Sequence, residues 1–178
     1  MVSHGKFALH DTLTNPLMAY SQHMNFRSVA SVFGVVLVLV YVLGSGLWVN
    51  TGDGWYRSLN KPSLQPPDFI FGLIWPYNFI VLGIAAVVIS QRASKPVVFT
   101  YMAFFALSVA AALVWAYQFY RPHDLTAASI ALTGTVVLTV PMVVILLTVS
   151  VPMALALVPY QVWVTVASTI SWSYNKLN

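Results

Sequence analysis

The stretch GWYRSLNKPSLQPPDFIFGLIWP, Gly54 to Pro76, is unlike the rest of the chain. It sets two cationic residues, one acid, four prolines and two tryptophans between long uncharged apolar runs. Its first half reads as a loop, because Lys61-Pro62 and Pro66-Pro67 bias the backbone away from helix. Its second half, from Phe69, opens an apolar helix. The meaning of this loop depends on what flanks it.

The 178 residues are 59% hydrophobic and only 7% charged, whereas a soluble domain carries roughly 25% charged residues. That composition excludes a soluble globular protein. Glutamate and cysteine are both absent, so there is no disulfide, no thiolate metal site and no cysteine nucleophile. The net charge of +4 is spread over eight Lys and Arg without a basic run, which excludes nucleic acid as a partner. Met1 to Ser28 is mixed and polar and lacks the layout of a secretory signal. It reads as an N-terminal polar or interfacial extension (1–28). Phe7, Leu9, Leu13, Leu17, Met18 and Met24 suit a short interfacial helix there, and Asn15-Pro16 is expected to interrupt a longer one.

A bilayer core about 30 Å thick needs about 20 apolar residues in a helix. Spans are expected at 29–49, 69–91, 97–120, 125–149 and 152–174, within a membrane domain 29–178. The break at Ser150-Val151-Pro152 divides an uncharged stretch, Leu125 to Asn175, that is too long for one crossing. A β-barrel is excluded, because runs such as Val35 to Val40 are apolar on every side and do not alternate. The fold class is therefore an all-α, five-helix membrane bundle. The Lys and Arg residues divide evenly between its two sides, so the positive-inside rule gives no orientation.

No Asp, Glu, Lys, Arg or His lies inside a span, which argues against a proton relay, an ion pump or a voltage sensor. His4, His10, His23 and His123 lie outside the spans and none pairs at i, i+4, which disfavours a zinc or bis-histidine haem site. His123 and Asp124 are sequence neighbours, not a triad. The spans instead carry mixed aromatic, small and weakly polar faces at helical spacing. These are Phe71, Trp75, Asn78 and Leu82; Ser108, Ala112, Trp115 and Phe119; and Tyr160, Trp163, Ala167, Ser171 and Tyr174. Two readings fit such faces: helix packing, or a pocket for a flat apolar ligand. Trp48, Trp55, Tyr56 and Trp172, near span ends, suit an interfacial aromatic belt. Gly34, Gly44 and Gly46, with Ala127, Ala128 and Ser129, offer small faces for contacts within or between chains.

The opening stretch resembles the TspO/MBR family of translocator and tryptophan-rich sensory proteins. Its signature W-Y-x-x-L-x-K-P-x-W-x-P-P-x-W-x-x-G-x-x-W is met without a gap by Trp55, Tyr56, Leu59, Lys61, Pro62, Pro66, Pro67, Gly72 and Trp75. Trp115, Phe119 and Tyr120 follow the family's third-span pattern, and Pro159, Tyr160 and Trp163 its fifth. The chain departs from the family at Leu64 and Phe69, which replace tryptophans, and at Ala112 and Ser171, which replace asparagines. The family's sterol-recognition pattern fails at the end of the fifth span, and a match occurs instead at Val114, Tyr117 and Arg121.

The resemblance implies a five-helix bundle with a ligand pocket lined by Leu64, Phe69, Trp75, Ala112, Trp115, Trp163, Ala167 and Ser171. The lid over it would be Trp55, Tyr56, Lys61, Pro62, Pro66 and Pro67. It implies a non-enzymatic binding or transport protein with no catalytic residue, no metal and no obligatory cofactor. The ligand would be a porphyrin or haem, a sterol or a lipid. The setting would be a mitochondrial or bacterial envelope membrane, in contact with lipids, as a homodimer. The alternative is an accessory subunit of a larger membrane complex that has lost the ligand site.

Overall fold

A computed structural model describes the backbone of residues 16–178 and the side chains from residue 26 onward, Asp68 excepted. The elements are α1 (Pro16–Trp48), α2 (Gly54–Ser58), α3 (Asp68–Arg92), α4 (Lys95–Tyr120), α5 (Leu125–Val149) and α6 (Val151–Leu177). Five of these helices are long and apolar enough to cross a membrane, and α2 is a single short turn of helix in the loop before α3. The first helix differs from expectation. Helix α1 is described from Pro16 onward, and the expected interruption at Asn15-Pro16 falls at the edge of the described residues. The helix therefore starts well before Val29, and its membrane-length part is Phe26–Trp48. Phe7, Leu9 and Leu13 lie outside the described residues.

The bundle is built around α3, α4, α5 and α6, with α1 laid against α3 and α4. Leu82, Ala85 and Ile89 of α3 meet Tyr101 and Phe105 of α4, Met142 and Leu146 of α5 and Leu157 of α6 in one buried core. The outer surface exposes Val32, Leu43, Leu73, Ile80, Phe99, Val137 and Leu155, the residue types that hydrocarbon solvates. Lipid tails are as apolar as these side chains, so close backbone approach and interhelical hydrogen bonds hold the helices together.

Both devices are present. A Cβ at Gly34 would collide with the methyl of Ala86, and one at Gly44 would lie 2.7 Å from Leu113 Cδ2. These two glycines of the first span are thus consumed by packing within the chain; Gly46 faces open space. Between α5 and α6, Ser129 hydrogen-bonds Ser171 at 3.0 Å, and Thr133 hydrogen-bonds Ser168 at 3.0 Å. The Trp172 indole N–H donates to Thr133 Oγ1 at 3.0 Å, so this tryptophan serves the helix seam and not only the membrane interface.

The α4–α5 turn is set by His123, whose φ of 62° lies in the left-handed region that histidine tolerates better than most residues. The Asp124 N–H reaches back to the Gln118 carbonyl at 2.9 Å, closing α4, while the Asp124 carboxylate accepts from Ala127 N at 2.9 Å and caps α5. The turn also aims the His123 ring at the loop between α1 and α3.

Candidate functional site

At the end of the bundle beneath that loop lies a cavity of about 700 Å³. The volume is typical of small-molecule sites, which run from about 300 to 1,000 Å³. Its walls come from four helices. Phe71, Trp75 and Phe79 project from α3, Trp115 and Phe119 from α4, and Trp163, Ala167, Ile170 and Ser171 from α6. The end of α1 supplies Val42, Ser45 and Gly46, and Val49 follows at the start of the loop. Helix α5 contributes no wall and backs α4 and α6 from outside.

The loop 49–67 covers the cavity and brings Tyr56, Arg57, Lys61 and Gln65 to its mouth. It is held at several points. The Asp53 carboxylate accepts from Tyr56 N at 2.7 Å and fixes the α2 turn. The Trp55 indole stacks flat on His123 at 3.7 Å between centroids and meets Phe119 edge-on. Tyr56 packs against Phe119, Tyr120 and Tyr174. The Tyr174 hydroxyl donates to Gln65 Oε1. Asn60 N donates to Asn178 Oδ1 at 2.8 Å, and Asn60 Nδ2 donates to the Leu177 carbonyl at 3.2 Å. Arg121 Nη2 donates to the Leu47 carbonyl at 2.9 Å, joining the ends of α4 and α1 beside the lid.

The site is apolar within and cationic at its rim. Among the described residues no carboxylate lines it, and Arg57 and Lys61 are the only charged ones that do. The indole N–H groups of Trp115 and Trp163 are buried and have no hydrogen-bond partner among the described residues. Both rings stand in the cavity wall. No group of three or more histidines and acids that would hold a metal occurs among the described residues. His123 and Asp124 serve the turn and the lid, and neither lines the cavity.

Of the expected pocket residues, Trp75, Trp115, Trp163, Ala167 and Ser171 come together around the cavity. Leu64, Phe69 and Ala112 stand apart from it. Phe69, 65% exposed, shares with Leu73 the outward face of α3, because two residues along a helix turn about 200° and give the inward place to Phe71. Leu64, 57% exposed, points outward from the loop. Ala112 lies two turns below Phe119 on the same face of α4, deeper than the cavity reaches, and is buried in the close-packed core. Of the lid residues, Tyr56 and Lys61 line the mouth, whereas Trp55 anchors the loop through its stack. Pro62 is buried, and Pro66 and Pro67 lead into α3. The residues that sequence reasoning missed are Val42, Ser45 and Gly46 on α1, Val49, Thr51, Gly52, Arg57 and Gln65 in the loop, and Phe79, Tyr120 and Ile170. The uniformly apolar α1 carries no periodic signal that would mark its inward face. Val114 and Tyr117 of the sterol-type pattern are exposed on the outer face of α4.

Comparison with known proteins agrees with this geometry. The family model for the TspO/MBR family matches residues 32–177. Protein CrtK of Rhodobacter capsulatus is 29% identical over 83% of this chain and 93% of its own length. The tryptophan-rich protein TspO of Chlorobaculum tepidum is 30% identical over 76% of this chain and 86% of its own. The tryptophan-rich sensory protein of Cereibacter sphaeroides is 26% identical over 80% and 91%. None of these names denotes an enzyme. All three organisms are bacteria, which supports the bacterial envelope over the mitochondrial membrane as the home of these five spans. With the spans, the lid motif and the matched length in agreement, the chain belongs to the TspO/MBR family.

Proposed function

We propose that this protein is a non-enzymatic binding and transport protein that holds a hydrophobic small molecule between its helices, under the 49–67 loop. The observation that carries the reading is the cavity itself: an aromatic-walled chamber partly covered by a latched loop and rimmed by two cations. Aromatic walls favour a flat ring system, through stacking and edge contacts. The indole N–H groups of Trp115 and Trp163 suit a ligand with acceptor atoms, since each buried donor left unmatched costs about 1–3 kcal/mol. Arg57 and Lys61 suit acidic substituents at the mouth. Among a tetrapyrrole, a sterol and a lipid, these features favour a tetrapyrrole with carboxylate side chains.

Trp75, Trp115 and Trp163 in the wall provide the readout. Titration of the purified protein with protoporphyrin should quench tryptophan fluorescence tightly and saturably. Quenching that stays linear in ligand, with no plateau, would overturn the reading.

A further inference from the structure

A second concavity lies on the outer surface of the α1–α3 seam. It is a groove of about 510 Å³, lined by Val35, Val38 and Leu39 of α1 and by α3 residues from Phe79 to Val88. Ile80, Ile84 and Leu39 leave it open to the surroundings of the bundle, so in a bilayer it fills with hydrocarbon. Phe79 belongs to both concavities, lining this groove and the interior cavity. One aromatic ring therefore forms part of the boundary between the membrane and the binding site.

The surroundings of Phe79 suit a movable partition. Below it, α1 and α3 are pinned where Gly34 meets Ala86. Above it, Val42, Ser45 and Gly46 of α1 and Phe71 and Trp75 of α3 line the cavity. One turn along α3 from Phe79 is Gly83. A Cβ there would have only Val38 Cγ2, at 3.8 Å, within 4 Å, so the glycine leaves the groove beside the ring open. The ring rests edge-on against Tyr41 at 5.2 Å and stacks on Trp75 at 5.5 Å, so it is held by contacts and not by hydrogen bonds. The route past the lid crosses a latched loop, whereas the groove opens directly to hydrocarbon.

We propose that the apolar ligand reaches the cavity sideways from the bilayer, through the α1–α3 groove, with Phe79 as the gate. This rests on the binding reading above and adds the route. The acidic end of the ligand stays near the cationic rim while its apolar body passes between the helices. Phe79 then returns to the seam and separates the occupied site from lipid.

The absence of native cysteine makes a direct test simple. A Cβ at Gly83 would lie 3.8 Å from Val38 Cγ2, which puts a Val38→Cys/Gly83→Cys pair near the range for a disulfide across the groove. Neither residue lines the cavity. In proteoliposomes, the rate of tryptophan quenching by protoporphyrin should fall by about tenfold when the pair is oxidised and recover on reduction, with equilibrium affinity little changed. Phe79→Ala should speed association, and Phe79→Trp should slow it. These two variants decide the matter by themselves if mobility shifts show that no disulfide forms. Equal rates in the oxidised and reduced pair, or equal rates in both Phe79 variants and the parent, would overturn the lateral route while leaving binding intact. Absence of saturable quenching in the parent protein would instead overturn the binding reading, and the route with it.

Discussion

Replacing both rim cations, Arg57→Gln with Lys61→Gln, separates recognition of ligand charge from recognition of ligand shape. Both side chains are exposed at the cavity mouth, so solvent screens them and full Coulomb energies do not apply. An exposed ion pair contributes about 0.2–1 kcal/mol, and partial cover by the lid favours the upper part of that range. Two such contacts give about 1–2 kcal/mol, a loss of about 5–30-fold in affinity. The assay is tryptophan quenching in detergent micelles, titrated with protoporphyrin and with its dimethyl ester. Affinity for the diacid should fall by the stated factor, and affinity for the ester should stay within about twofold. Raising salt from 0.05 to 0.5 M in the parent protein should mimic part of the substitution, because the screening length drops below about 8 Å once ionic strength exceeds 0.15 M. An equal loss for the diester would refute the reasoning, since the pair would then be shaping the loop and not reading charge.

Three other outcomes follow from the packing. Gly34→Val should lower the thermal midpoint in detergent by the equivalent of about 1–3 kcal/mol, because its Cβ meets Ala86, whereas Gly46→Val, facing open space, should leave it nearly unchanged. Thr133→Val removes the contacts to Ser168 and Trp172 and should cost about 1 kcal/mol in the same measurement, at about 0.6 kcal/mol per interhelical bond. His123→Gly keeps the left-handed turn but deletes the stack on Trp55, so hydrogen exchange in residues 50–66 should accelerate while the α4 and α5 cores stay protected.

The five crossings were legible in the sequence because the determinant is local. A run of apolar residues either is or is not long enough for the hydrocarbon layer, and Arg92, Arg121 and Pro152 mark where runs end. The lid motif was equally legible, since prolines and paired aromatics constrain their own backbone. Helical periodicity also put Phe71 on the Trp75 face, and the structure brings both to the cavity. The motif position Phe69, by contrast, faces outward two residues away. Three things were decided only by the assembled bundle. The depth of the cavity excludes Ala112, although it shares a helix face with Phe119. The inward face of α1 emerges only where that helix, pinned at Gly34, runs along α3 to the cavity. The latches join positions as distant as Asn60 and Asn178. Chain length and local backbone preference set the number and ends of the helices. The rotation and spacing of those helices depend on contacts between residues far apart in sequence, and those contacts decide which aromatic rings face the cavity and which face lipid.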